Sequence, residues 1–271
     1  RVVRAHPVLA APGWWRRPDR IFHPAAEGRS FRAPAPTGTP AEARAARPLL
    51  VTGASGLVGG AFARLCDVRG LPHHALTRAD ADLADPAAVE DAIARLRPWA
   101  VVHAAGWADA DAAEGAPGAC RAATADAAAA VAAACVRHGA RLVVFSSDQV
   151  FDGGTDGVRR AAPYVESDAP APLGALGRAH AELEARVRAA LPGALVVRTA
   201  ACFGPWDAGN FVTRALGALA RGEPFDAASD QVVSPTYVVD LAHAALDLLI
   251  DGERGVWHLA NRGAVPWAEL A

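Results

Sequence analysis

The chain has no methionine and no lysine, and only two tyrosines, Tyr164 and Tyr237. Every basic side chain is therefore Arg or His, which limits the partners available for proton transfer. The lack of Met, even at position 1, leads us to expect a fragment or a processed product. No run approaches the roughly 18 consecutive apolar residues of a membrane span, and no apolar stretch marks a signal peptide at the N-terminus. Cys66, Cys120, Cys135 and Cys202 are widely spaced and form no CxxC pair. That pattern fits reduced thiols in a cytosol better than a disulfide framework or a zinc site. No G-x-S-x-G motif is present, and His73–His74 are adjacent rather than four apart, so hydrolase and metal chemistry lack a signature. A net charge of −2 and a pI near 6.5 give no reason to expect nucleic acid as the main ligand.

What is there falls into two parts. Residues 1–47 hold nine Arg against three acids, and the remainder eighteen Arg against twenty-six. Eight of the twenty prolines lie within 1–48, where no helical or strand period is sustained. This stretch reads as a linker or tail, or as a remnant of a fused upstream domain. From Pro48 the chain alternates strand and helix. Apolar strands at Leu49–Thr52, His73–Thr77, Ala100–Ala105, Arg141–Ser146, Ala194–Thr199 and Gly255–Ala260 are separated by helical segments. The latter include an Ala-rich helix over 117–138, ended by Gly139, and one over 175–190. Such alternation predicts an α/β fold, a doubly wound parallel sheet of Rossmann type, over 48–271. A small C-terminal substrate-binding region is expected mainly in 150–175 and 201–271.

The first strand runs into Thr52-Gly53-Ala54-Ser55-Gly56-Leu57-Val58-Gly59-Gly60. Glycines at 53, 56 and 59 suit a tight turn, a close backbone approach to pyrophosphate, and helix–strand packing, in that order. The phosphate charge then meets the N-terminus of the following helix. The context of strand, loop and helix gives this pattern its weight. The second strand ends in Thr77-Arg78 rather than an acid. An Arg there suits a 2′-phosphate and points to NADP ahead of NAD, with a solvated surface Arg as the alternative.

Several further motifs resemble the dTDP-4-dehydrorhamnose reductase family of extended short-chain dehydrogenases/reductases. They are Asp82-Leu83-Ala84-Asp85-Pro86; His103-Ala104-Ala105-Gly106-Trp107 with Asp111 and Glu114; and Phe145-Ser146-Ser147-Asp148-Gln149-Val150-Phe151-Asp152-Gly153. Tyr164, Glu166, Asp168 and Pro172 follow, then Arg198-Thr199, Asn210-Phe211-Val212, Asp230-Gln231, Pro235-Thr236-Tyr237 and Asp240-Leu241. The resemblance implies NAD(P)H binding near Gly53, Ser55, Gly56, Leu57, Val58, Gly59, Arg78, Asp82, Leu83, Ala104, Ala105, Gly106 and His180. It implies a nucleotide sugar near Trp107, Gln149, Asn210, Phe211 and Gln231 and a cytoplasmic setting; charge and the lack of a long apolar run lead us to expect no nucleic-acid or membrane partner. In the family a 4-keto group is reduced by hydride; a Ser or Thr, here Ser147, orients the carbonyl. A Tyr donates the proton, and a Lys four residues on lowers the Tyr pKa and holds the ribose.

The helix that should carry that pair reads Pro172-Leu173-Gly174-Ala175-Leu176-Gly177-Arg178-Ala179-His180. Leu176 falls at the Tyr position and His180 at the Lys position. No shift of register restores the pair, because the chain has no Lys. Thr124, Gln149 and Ala201 stand where the family usually has Asn, Tyr and Trp. Three readings follow: a binding protein with impaired catalysis; an active NAD(P)H-dependent reductase with a substituted acid from His180, Tyr164 or water; and a regulatory or structural domain with an empty pocket.

Overall fold

The computed structural model describes residues 47–77, 79–154, 162–207 and 209–271. The expected tail therefore lies outside the described residues, as does part of the loop over 152–173.

The chain order is β1 (Leu49–Thr52), α1 (Leu57–Arg69), β2 (His73–Leu76), α2 (Pro86–Leu96), β3 (Ala100–His103), α3 (Ala110–Gly115) and α4 (Pro117–Arg121). One π-helical turn at Ala122–Asp126 leads into α5 (Ala127–His138), then β4 (Arg141–Ser147), a 3₁₀ turn at Asp148–Val150, α6 (Ala175–Ala190) and β5 (Leu195–Thr199). The rest is β6 (Cys202–Phe203), α7 (Phe211–Arg221), β7 (Val232–Val233), β8 (Thr236–Tyr237), α8 (Val238–Asp251), β9 (Gly255–His258), β10 (Val265–Pro266) and α9 (Trp267–Leu270). Local chemistry sets several of the boundaries. Asp85 caps α2 by accepting from the Ala87 N–H, with Pro86 in the first turn. Gly70, Gly139, Gly222 and Gly252 end α1, α5, α7 and α8 in the left-handed conformation.

Six strands form one parallel sheet in the order β2-β1-β3-β4-β5-β9. The chain winds outward from β1 to β2, then returns on the other side of β1 with β3, so the sheet is doubly wound. Alternate strand residues bury on opposite faces. Leu49, Val51, Val102, Val143 and Val197 meet Phe62 and Leu65 of α1 and Leu241 and Leu246 of α8. Leu50, Val101, Leu142, Val144 and Val196 meet Ile93 of α2, Val131 of α5 and Leu183 of α6. Both faces are covered, which explains strands that are apolar throughout rather than alternating. The expected architecture is therefore borne out. Two small additional sheets, antiparallel β10–β7 and parallel β6–β8, lie in the C-terminal part.

The expected Ala-rich helix over 117–138 is present and ends at Gly139, with a π turn at Ala122–Asp126 within it. Among the described residues, Pro117–His138 is the one helical stretch long and apolar enough by composition to cross a membrane. Half of it is buried, and its Val131 and Cys135 lie in the core under the sheet. All four cysteines are free thiols. Burial pushes Cys66 and Cys135 up to about 12, leaving them protonated and inert.

Candidate nucleotide site

The site lies at the carboxyl ends of β1, β3 and β4, beside the point where the winding reverses. Gly53 leaves β1 with φ +71°, and a Cβ there would sit 2.5 Å from the Ala105 nitrogen. A Cβ on Gly59 would sit 2.3 Å from the Gly53 oxygen. Gly53 must be bare for the loop to pass the Ala104–Ala105 backbone, and Gly59 for α1 to dock against the loop. Gly56 is different: a Cβ there would meet only the Gly53 oxygen, at 3.4 Å. Nothing among the described residues requires Gly56 to be bare. It caps α1 in extended conformation with no side-chain hydrogen bond, and the first turn of α1 carries no acid. The N–H groups of that turn and the positive end of the helix dipole thus face the loop without a side-chain acceptor. This is a cradle suited to pyrophosphate, and the Gly56 hydrogen leaves room for it. Ser55 is exposed at the loop tip, with Leu57 and Val58 at the start of the helix.

Ala104, Ala105 and Gly106 leave β3 opposite this loop, and the Ala104 N–H donates to the Thr52 oxygen at 3.2 Å. Beneath them Thr52 Oγ1 and His103 Nδ1 share a hydrogen bond of 2.8 Å, with both residues buried. Burial holds His103 down at about 4, so its ring is neutral near pH 7. Its Nε2 has no hydrogen-bond partner among the described residues. The π turn aims Thr124 back at this segment, and Thr124 Oγ1 accepts from the Trp107 N–H at 3.2 Å. A π turn at a site wall is a recurrent way of re-aiming one side chain.

β4 ends at Ser147, whose Oγ accepts from the Gln149 N–H at 3.2 Å and donates to Asp148 Oδ1 at 3.0 Å. Ser147 thus caps the 3₁₀ turn. Gln149 itself is exposed. α6 docks against that turn through Gly177, where a Cβ would lie 2.1 Å from the Gln149 oxygen. Glu114 accepts from the Ala175 N–H at 2.5 Å and so caps the start of α6 from another helix. Leu176 is 3% exposed and packs with Ala113, Cys120 and Ala179 beneath the half-buried Trp107. One turn on, His180 is half-buried. Its Nδ1 is sealed and has no partner among the described residues. Burial pushes His180 down to about 4 against the opposing pull of Glu184.

Sequence reasoning missed the most tightly bonded group near the site. Glu184 of α6 accepts from Ser146 Oγ at 2.6 Å and from Arg198 Nε and Nη2 at 2.8 and 2.6 Å. Glu184 and Arg198 are 3% and 4% exposed. Arg198 Nη1 also lies 3.2 Å from His258 Nε2, and the His258 N–H donates to Glu166 Oε1 at 2.9 Å. A signal was present: one acid on the sheet-facing side of α6, beside Leu183 and Val187, and one Arg in the apolar strand Leu195–Thr199 imply each other. Tyr164, one of the substitute acids considered, stacks on Phe151 with ring centroids 4.1 Å apart. Its hydroxyl donates to Asp152 at 2.5 Å.

The remaining expected residues lie further out. Arg78 lies outside the described residues. Asp82 accepts from the Ala84 N–H at 3.0 Å in a turn after β2, and Leu83 packs against the core. Asn210 caps α7 by accepting from the Thr213 N–H at 3.0 Å and donates to the Gly204 oxygen at 3.0 Å. Its amide serves the fold. Phe211 packs on Trp267 and Phe225, and Gln231 is exposed. Ala201, the expected stacking position, holds φ +42°.

Sheet order, glycine loop and uncapped helix together define a Rossmann-type nucleotide-binding fold. The chain belongs to the family described as the RmlD substrate binding domain, whose model matches residues 47–271. It is 39% identical over 219 residues to a dTDP-4-dehydrorhamnose reductase of Mycobacterium tuberculosis, spanning 80% of this chain and 71% of that one. It is 36% identical to a dTDP-4-keto-6-deoxy-D-glucose reductase of Streptomyces niveus, over 82% of this chain and 75% of the other. Among solved structures it resembles the dTDP-4-dehydrorhamnose reductase of Bacillus anthracis in complex with NADP. That match has a TM-score of 0.77 at 28% identity and covers 83% and 78% of the two chains.

Proposed function

We propose that this chain binds NAD(P) and a nucleotide sugar as its reductase relatives do, and that its proton-transfer machinery is impaired. The carrying observation is Leu176. It stands at the position where the family resemblance implies the Tyr acid, buried in an apolar cluster with Ala113 and Cys120. A leucine has no proton to give. His180, at the Lys position, is neutral near pH 7 and supplies no cation beside the acid. The phosphate cradle of Gly53, Gly56 and Gly59 supports retained nucleotide binding. Bound NAD(P)H would supply the hydride, while Ser147 and the wall from Ala104 to Trp107 line the reacting end. Asp82 and Leu83 would lie toward the adenine and Gln149 toward the sugar, by analogy with the family. An Arg at position 78 favours NADP over NAD. A cytoplasmic role in sugar-nucleotide metabolism belongs to the same reading.

The test is hydride transfer from NADPH to a dTDP-linked 4-keto-6-deoxy sugar, followed at 340 nm. The wild type should turn over ~10²-fold or more slowly than the Leu176→Tyr/His180→Lys variant, the usual scale of general acid catalysis. Rapid wild-type turnover abolished by His180→Ala would instead support an active reductase with a substituted acid.

A further inference from the structure

The two ends of the cradle are unequal. At the phosphate end, Gly56 is bare without an internal reason, and the first turn of α1 has neither a side-chain cap nor an acid. Gly106 is bare in the same way, its Cβ position meeting only Thr124 Oγ1 at 3.8 Å. At the opposite end, which the family resemblance places at α6, positions 176 and 180 offer a second ribose no side-chain cation. Leu176 offers none. His180 is neutral near pH 7, and its Nδ1 is sealed with no partner among the described residues. Thr124 Oγ1 accepts from Trp107, and Ser147 Oγ serves the 3₁₀ turn and Asp148.

We infer that the site holds its nucleotide through the adenosine diphosphate part alone, so that ADP-ribose binds as tightly as the full dinucleotide. The inference rests on the nucleotide-binding reading above and adds ligand selectivity to it. Pyrophosphate brings the charge that backbone N–H groups and a helix dipole recognise, and those groups are intact. Positions 176 and 180 supply no charge-assisted bond to the second ribose, so the nicotinamide half adds area and neutral contacts but no ionic anchor. The site then becomes insensitive to cofactor redox state, because reduced and oxidised forms differ only in the unanchored half. The ligand class is an adenine nucleotide carrying a diphosphate.

The experiment is calorimetric titration of the native chain with NADH, NAD, ADP-ribose and nicotinamide mononucleotide. NADPH and 2′-phospho-ADP-ribose form a second matched pair. The expected result is dissociation constants within about threefold for each dinucleotide and its ADP-ribose counterpart, and none measurable for the mononucleotide. In the Leu176→Tyr/His180→Lys variant the dinucleotide should gain at least about tenfold over ADP-ribose. ADP-ribose binding about tenfold or more weakly than NADH to the native chain would overturn the inference and leave nucleotide binding standing. So would measurable binding of the mononucleotide. Failure of every nucleotide to bind would overturn both. Should the double variant not fold, the native comparison decides alone.

Discussion

Gly177 and Gln149 touch backbone to backbone: a Cβ on Gly177 would lie 2.1 Å from the Gln149 carbonyl oxygen. This contact locks α6 against the turn after β4 and so fixes where Leu176 and His180 sit. Gly177→Ala should cost about 1–3 kcal/mol, the scale of overpacking a rigid contact. Urea denaturation reads this directly. A change within a few tenths of a kcal/mol would mean the contact is not rigid.

Gly56 should behave in the opposite sense. Asp is a better N-cap than Gly and complements the helix dipole, so Gly56→Asp should leave stability unchanged or raise it by about 0.5 kcal/mol. The same carboxylate would fill the cradle and repel phosphate. Nucleotide binding should vanish while the melting temperature holds. A variant that both folds and binds as before would show that the loop is architecture only.

The buried Glu184–Arg198 pair ties α6 to β5. Removing one partner leaves the other charge buried and unpaired, so Arg198→Met should destabilise by about 3–5 kcal/mol. Adding Glu184→Gln should recover part of that loss. If the single change cost no more than a surface substitution, the pair would be solvated in solution. Guanidinium denaturation of the single and double variants makes the comparison.

His103 should make stability depend on pH. Its folded value lies near 4 against an ordinary 6.5, so between these values the unfolded chain binds more protons. Stability is then fully present above about pH 6.5 and falls as pH drops toward 4. The single-site contribution between pH 7 and 5 is about 2 kcal/mol, an upper figure. His103→Asn should flatten that part of the stability profile. A folded His103 ring that titrates near 6.5 by NMR would contradict the assignment.

Much of this was legible in the chain itself. The strand at Leu49–Thr52, the glycine spacing and the helix stop at Gly139 are local signals, and each element formed as read. The lack of Lys is a fact of the sequence itself, and it excludes a Tyr-x-x-x-Lys pair in every register. What escaped was contact between elements distant in sequence. Nothing near Glu114 marks it as the cap of a helix starting at Ala175. The π turn at Ala122–Asp126 contains no Gly or Pro to mark it, and its Thr124 accepts from the distant Trp107 N–H. Asn210, expected near the substrate, also caps α7 by accepting from the Thr213 N–H, a role not assigned to it from the sequence. The stacking of Tyr164 on Phe151 and its bond to Asp152 likewise join residues on either side of a long loop.

The central claim, a working phosphate cradle beside a lost proton donor, is tested most directly by titrating the purified chain with NADPH and NADH and following nicotinamide fluorescence. The account predicts binding at roughly micromolar concentration, abolished in Gly56→Asp, with no oxidation of cofactor when a dTDP-linked 4-keto sugar is added. No binding at about millimolar cofactor, or oxidation at rates typical of an active reductase, would contradict it.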